Sequence, residues 1–512
     1  VKTESAQAVG RLSLGSLPAI TVSSVSLPRV DPAAVHIGIV HFGIGAFHRA
    51  HQAVFTEDAA AATGENHWGI LGVTGRTAGV AKQLLPQDCL YGVLIKGASE
   101  TELRLIGSVR DVAWPGEDSE KVAEALASPH VHLATLTITE KGYLRAPDGS
   151  IDLTLPAVQH DLDLIGRELA DEPELPASRT PIGLLVRGLA RRQRHGGEPF
   201  SVVSCDNLVE NGEITGRLVS SLVDALEPGT AQRELTAWLA ASVTFPSTMV
   251  DRIAPATTDA DRAEALALLG LRDEALVVAE PFAQWVIEDN FAGPRPAWER
   301  AGAILADDVA PYERVKLRVL NATHSLLAWL GALSGYRTIA EAVADEQLRS
   351  VAMRVIDEDI LPTLTAPDGI DLEEYRDSVL ERFANPNLAH TTAQVAMDGS
   401  QKLPNRLLGT VADRLGAGVV PQGLALVLAA WIAYVASSMR EGAPVLDDPA
   451  ADRLHAAVGT ADAVIDDPGG VIDRVFALGD IFPAAIAGSE PFRSAVREQL
   501  ATVRELVAAS AR

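Results

Sequence analysis

The run Val35-His36-Ile37-Gly38-Ile39-Val40-His41-Phe42 is almost unbroken in its apolar character and passes straight into Gly43-Ile44-Gly45-Ala46-Phe47-His48. A short apolar run closed by glycines reads as a buried strand entering a tight turn. Glycine at such a turn lets backbone N–H groups at a helix start come close to a pyrophosphate. The amphipathic segment 50–62 supplies the helix that should follow, and His48 stands in the slot of a third glycine. Gly43, Ile44, Gly45, Ala46 and Phe47 are therefore the candidate dinucleotide-binding residues. An ordinary strand-to-helix turn has the same short motif, so the context carries the reading.

That context continues along the first half. Apolar runs at 68–73, 91–95, 131–138 and 200–204 read as further strands, with helices such as 119–127 and 182–195 between them. Alternation of this kind predicts an α/β fold with a Rossmann-like, doubly wound sheet. In NAD enzymes the second strand should end near an acidic residue that holds the adenosine ribose. Here it runs into Thr74-Gly75-Arg76-Thr77-Ala78-Gly79, which has no carboxylate. Arg76 has the chemistry to meet a 2′-phosphate, and it equally suits a solvated loop. Asp206-Asn207 follows directly on a strand end, where open α/β sheets place ligands. Asn207 also suits the N-cap of the next helix.

From about residue 211 onward helical periodicity dominates, as in 214–226, 231–241, 315–333, 346–360 and 491–509, which predicts a mainly α-helical second domain. Phe245-Pro246 marks a break. The expected division is a dinucleotide-binding domain over 1–243, with an N-terminal arm over 1–32 extended along the surface, and a substrate domain over 244–512. Catalytic groups from both halves are expected to meet at a cleft whose closure excludes water.

The segment Lys316-Leu317-Arg318-Val319-Leu320-Asn321-Ala322-Thr323-His324 places an amine, a carboxamide and an imidazole in one predicted helix. At about 100° per residue the three side chains fit within roughly 140° of a regular helix. Oxidising an alcohol by hydride transfer needs a base for the hydroxyl proton and a donor for the oxygen as charge develops on it. Lysine suits the first role when desolvated, and asparagine the second. Taken alone, the three also read as a solvated lysine, a polar interruption and a core histidine.

Several separate blocks resemble one family, the polyol-specific long-chain dehydrogenases, which includes mannitol 2-dehydrogenase and fructuronate reductase. They are the glycine turn continuing as His48-Arg49-Ala50-His51-Gln52, then Thr137-Ile138-Thr139-Glu140-Lys141-Gly142-Tyr143, Ser204-Cys205-Asp206-Asn207 and Phe245-Pro246-Ser247-Thr248-Met249-Val250-Asp251-Arg252-Ile253. Gln284-Trp285-Val286-Ile287-Glu288-Asp289, the Lys316 block and Met397-Asp398-Gly399-Ser400-Gln401-Lys402 complete the likeness, which runs from about His36 almost to the C-terminus.

The resemblance implies Lys316 as general base, Asn207 and Asn321 as the donors that stabilise the alkoxide-like oxygen, and His324 as a substrate-positioning group. It implies Asp251 as the neighbour that tunes the lysine and Glu313 as a gate on its proton path. An acid three residues before a lysine is also a common surface ion pair. Thr139 and Glu140 fall with the cofactor-binding set, and Lys402 with the groups that reach substrate hydroxyls. Gln394 stands where some mannitol dehydrogenases have a substrate-contacting arginine, which leaves mannitol/fructose and a hexuronate such as fructuronate both open. The implied cofactor is NAD, with NADP as the alternative that Arg76 raises, and no metal.

With 43 Lys+Arg against 68 Asp+Glu, the net charge of −25 opposes a nucleic-acid partner. Cys89 and Cys205 are the only cysteines, too few for a disulfide framework or a thiolate zinc site. His41, His48 and His51 cluster at the strand end, where packing or nucleotide contact fits better than metal ligation. No secretory signal is evident and the apolar segment 424–436 is too short for a membrane span, so the cytoplasm is expected. A monomer is expected because the helical domain can cover its own apolar surface. A non-catalytic nucleotide-binding sensor is the alternative of another class, and the intact set Lys316, Asn321, Asn207 and His324 speaks against it.

Overall fold

The computed structural model describes residues 10–388 and 390–510. The chain forms two compact units, Val1–Val309 and Ala310–Arg512.

The first unit is built on six parallel strands, β1 (Ile37–Phe42), β2 (Gly69–Val73), β3 (Val109–Ala113), β4 (Leu133–Leu136), β5 (Phe200–Ser204) and β6 (Val243–Thr244). Their spatial order is β3-β2-β1-β4-β5-β6, the doubly wound order of dinucleotide-binding sheets. Register is set through the middle strand, where Val40 pairs with Leu71 on one side and Ala134 on the other. Both faces are covered, which is why the inner strands are largely apolar rather than alternating, whereas the edge strand Val109–Ala113 carries Arg110 and Asp111. Val40 and Phe42 enter one core with Val122, Ile165, Leu184 and Leu218 from helices Pro115–Ala127, Pro156–Leu169, Pro181–Arg194 and Asn211–Asp224. Ile39 enters the other with Ala53 and Ala59 of helix Gln52–Thr63.

Three expectations change. The strand Tyr91–Lys96, read as part of the doubly wound sheet, belongs to a separate four-stranded sheet. It pairs antiparallel with Thr101–Ile106 through a short connection closed by the Gly97 N–H on the Glu100 carbonyl at 2.8 Å. A hairpin needs only a few linking residues, whereas a parallel neighbour needs a crossover. The arm is not confined to the surface. Leu12 is wholly buried, and Val25–Ser26 adds a parallel strand to Thr101–Ile106, placing Val25 in a core with Leu94, Leu103 and Leu276. Its first nine residues lie outside the described segment.

The division also falls at Val309/Ala310 rather than at 243/244. Residues 244–309 are not a helical start but complete the first unit. Val277–Ala279 pairs parallel with Tyr91–Lys96, while Thr248–Asp251, Gln284–Glu288 and Ile304–Ala306 make a third sheet. Trp285, Ile287 and Trp298 share a core with Ile39 and Trp68. Strands of three to five residues are too short for periodicity to announce.

Every regular element of the second unit among its described residues is helical, apart from one isolated bridge between Thr338 and Thr391. Helix Ala322–Leu333 packs on Gln422–Ser437, which in turn packs on Glu490–Ser510. The apolar helix Gln422–Ser437 is buried along most of its length, and no helix among the described residues is long and apolar enough to cross a membrane. Three π-helical turns interrupt the α-helices, at Lys316–Asn321, Val355–Ile360 and Pro404–Leu408. Such turns insert a residue into the helical register and recur at functional sites.

Candidate active site

The glycine turn sits where β1 and β4 part and the strand order reverses, the position at which open α/β sheets bind ligands. Gly43 has φ of +94°, and a Cβ there would lie 2.0 Å from the Thr137 carbonyl oxygen. Gly45 is different, since its added Cβ would meet only the Gly43 oxygen, at 3.7 Å. The turn therefore needs glycine at 43 for its own closure and leaves open space in front of 45, which fits a cofactor pyrophosphate. Helix begins at once as Ala46–Ala50, breaks at His51 and resumes as Gln52–Thr63.

Beneath the turn His41 forms a relay. Its Nδ1 is 2.7 Å from the Thr135 hydroxyl, its Nε2 is 2.9 Å from the Thr137 hydroxyl, and Thr137 donates to the Gly43 carbonyl at 2.8 Å. With the Thr137 proton committed, a neutral His41 donates from Nε2 and accepts at Nδ1. The His48 ring stacks on His41 with centroids 3.3 Å apart, so the histidine cluster is a packed brace beneath the turn. Among the described residues no group of three or more His, Cys, Asp or Glu is arranged to hold a metal ion.

Burial lowers the His41 pKa to about 3, and burial, followed by the charge of Lys402, lowers that of His390 to about 4. An unfolded histidine titrates at about 6.5. Between these values the unfolded chain binds protons that the folded chain refuses, so this part of the stability is present above about pH 6.5 and is lost as pH falls through the window. The thermal midpoint is expected to drop on acidification from about pH 7 to about pH 5, and His41→Asn to flatten that drop. Melting curves of both proteins across the range check this, and parallel slopes would contradict it.

Asp206 organises the other side of the crevice. Its carboxylate accepts the N–H groups of Ile138 and Thr139 at 2.9 and 2.8 Å and the Tyr143 hydroxyl at 2.8 Å. Burial raises its pKa, and these donors oppose the rise. The clamp holds Thr139 at φ of 64°, a backbone that threonine rarely adopts. Thr139, Arg76 and Asn207 are exposed on loops, and Glu140 is exposed at the start of the 3-10 turn Glu140–Tyr143. Asn207 does not cap the following helix, whose N-cap is Glu210. Asn211 ties that loop down instead, donating to the carbonyls of Asp206 and Thr248 at 2.9 and 2.8 Å. Asp251 ends the strand Thr248–Asp251 and is buried, beside an Arg252 whose guanidinium donates to the carbonyls of Ala50 and Glu280.

In the second unit the helix carrying Lys316 is not regular. Residues Lys316–Asn321 form a π turn, closed by the Ala322 N–H on the Leu317 carbonyl, before α-helix resumes at Ala322–Leu333. Residues five apart, about 140° apart on an α-helix, come nearer to one face when bonds run i→i+5. Lys316 and Asn321 are each 7% exposed, as is His324. Asn321 Oδ1 and His324 Nε2 are buried without a hydrogen-bond partner. Buried orphans of this kind are costly unless something satisfies them, and a polyhydroxylated ligand has the groups to do so.

The remaining assignments separate. Glu313 lies half-buried one turn before Lys316, in the short helix Ala310–Val315. Lys402 is half-buried, with Nζ donating to the Val395 carbonyl at 3.0 Å. Gln394 is exposed, and its side chain closes a capping box with Thr391 at the start of helix Thr392–Ala396, which accounts for it without substrate.

Sequence reading missed three groups here. The His390 ring meets His324 edge-on with centroids 4.8 Å apart, and Phe383 stacks on His324 at 4.5 Å. Arg406 donates to the Ser325 hydroxyl at 3.0 Å and the Asn321 main-chain oxygen at 3.4 Å. The His324 pKa is well below its usual value, first because of burial and then because of His390, Arg406, Lys402 and Arg382. The ring is therefore neutral and lies in a positive field.

Residues 37–300 match the family model described as the mannitol dehydrogenase Rossmann domain, and residues 308–501 match that of the mannitol dehydrogenase C-terminal domain. The chain is 41% identical over 462 residues to D-mannonate oxidoreductase of Escherichia coli (strain K12), covering 86% of this chain and 92% of the relative. It is 40% identical over 402 residues to polyol:NADP oxidoreductase of Gluconobacter oxydans (strain 621H), covering 77% and 78%. Among solved structures, Pseudomonas fluorescens mannitol 2-dehydrogenase in ternary complex with NAD and D-mannitol matches with a TM-score of 0.82 at 34% identity, over 98% of both chains.

Proposed function

The chain belongs to the mannitol dehydrogenase family, and on that premise we propose that it interconverts a secondary alcohol of an acyclic sugar derivative with the matching ketone, D-mannitol and D-fructose being the first pair. The observation that carries the reading is the π turn, which groups Lys316 and Asn321 on a buried helix leading to His324. The nicotinamide, when bound, accepts the hydride in oxidation and supplies it in reduction.

The chain's own residues handle the proton and the oxygen. Lys316 takes the hydroxyl proton during oxidation and returns one to the oxygen during reduction, and its burial is the condition a lysine base requires. The Asn321 carboxamide donates to the oxygen as negative charge grows on it. His324, neutral and with Nε2 free of protein partners, orients a neighbouring hydroxyl. Asn207 and Asp251 are assigned to substrate, and Glu313 to the lysine's proton path, on family likeness.

The dinucleotide is proposed to lie over the glycine turn, with Ile44, Ala46 and Phe47 lining its approach. NAD is the first expectation, in keeping with the NAD named for the Pseudomonas fluorescens complex. The exposed Arg76 in a loop without carboxylates, and the NADP named for the Gluconobacter relative, favour testing NADP beside it.

A second reading rests on the positive field around His324. Arg406, Lys402 and Arg382 all act on that ring, and a cluster of cations suits a carboxylate. A hexuronate such as fructuronate, reduced to an aldonate, is the substrate class this implies, and the likeness to D-mannonate oxidoreductase agrees. Absorbance of NADH and NADPH at neutral pH, with fructose and fructuronate as competing choices, decides. Fast oxidation with fructose alone supports the polyol reading, turnover with fructuronate alone moves the enzyme to the uronate class, and turnover with neither rejects both.

A further inference from the structure

The π turn poses a mechanical problem. It shifts the helical register between Lys316 and Asn321, so something must hold the junction at Ala322 where α-helix resumes. A single guanidinium spans that junction. Arg406 Nη1 donates to the main-chain oxygen of Asn321 and to the hydroxyl of Ser325, one turn further on. Arg406 itself lies in the third π turn, Pro404–Leu408, which packs against the first. The first turn is also held at Arg318, which pairs with Asp413 of helix Gly409–Gly416 at 2.6 Å and donates to the Thr363 hydroxyl at 2.8 Å.

We propose that Arg406 is a positioning residue that fixes the π-to-α junction and so aims the Asn321 carboxamide at the reacting oxygen. This rests on the reading of Asn321 as the oxygen's donor. Arg406 grips the backbone of Asn321 rather than its side chain, so it fixes where the carboxamide starts from without occupying it. Its charge also acts on His324, which helps keep that ring neutral. An arginine suits the post because its planar fork offers several donors in fixed directions, whereas a lysine offers one flexible point.

A double-mutant cycle tests the proposal on the full chain, with kcat, KM, thermal midpoint and NADH binding measured for the wild type, Asn321→Ala, Arg406→Met and the double variant. Asn321→Ala should lower kcat about 100-fold, as loss of an oxyanion donor does. Arg406→Met should lower kcat about tenfold or more while NADH binding holds, and should cost less than about twofold once Asn321 is already alanine. Arg406→Lys, which keeps the charge and one donor, should recover part of kcat at an unchanged thermal midpoint, and it carries the cycle if the methionine variant does not fold. Multiplying losses in the double variant, or full kcat in the arginine variant, would overturn the positioning role and leave the functional reading intact. Wild-type kcat in Asn321→Ala would overturn both.

Discussion

Lys316→Ala is expected to lower turnover by roughly three orders of magnitude, within the range of about 10² to 10⁴ that a positioned general base contributes. Alanine removes the amine and leaves no other group on the turn that can take a hydroxyl proton, since Asn321 does not titrate and His324 is committed to its neutral form in a buried, positively charged setting. The loss should fall on kcat and kcat/KM together, because proton transfer is a property of the transition state. NADH binding should not change, since the glycine turn proposed to receive the cofactor belongs to the other unit. Steady-state kinetics together with NADH fluorescence measure both halves of this expectation. A variant that keeps turnover within tenfold of the parent would remove Lys316 from the mechanism. A parent with no turnover to lose, yet with normal NADH binding, would make the chain a nucleotide sensor.

Gly43→Ala should be the most damaging change in the first unit. The residue sits at φ of +94°, which L side chains rarely adopt, and the new Cβ would lie 2.0 Å from the Thr137 oxygen and 2.6 Å from its carbon. Both obstructing atoms are backbone at the end of β4, so no rotamer relieves the clash. The turn must open, and with it the relay from Thr135 through His41 and Thr137 to the Gly43 carbonyl. Backbone strain of this kind costs on the order of 1–3 kcal/mol before the clash is counted. NADH affinity is expected to fall at least about 100-fold, equivalent to roughly 3 kcal/mol, with a clear drop in thermal midpoint. Gly45→Ala supplies the contrast, because its φ is −81° and its Cβ meets nothing nearer than 3.7 Å. That variant should fold normally and lose NADH affinity alone. Equal melting and equal binding in both variants would show that the turn does not hold the cofactor.

Much of the first unit was legible because its signals are local. β1 and the glycine turn announce themselves through a continuous apolar run and two residues without side chains, and the strand Phe200–Ser204 falls at the residues expected. Tyr91–Lys96 was recognisable as a strand, but its partner was not, since pairing depends on which neighbour the connection can reach. Asp206 was visible beside Asn207, yet nothing in the chain showed that it would clamp the turn at Thr139 from 67 residues away.

The chain alone determined that a parallel sheet would carry a glycine turn, and that an amine, a carboxamide and an imidazole would share one helix. These follow from side-chain periodicity and the conformational freedom of glycine, which act over a few residues. The tertiary structure decided that this helix contains a π turn, that the first unit extends to Val309, and that Arg406 reaches Ser325 across 81 residues of sequence. A π turn trades regular hydrogen bonds for a shifted register, and only packing from distant segments can offset that cost, so its location is a property of the folded whole.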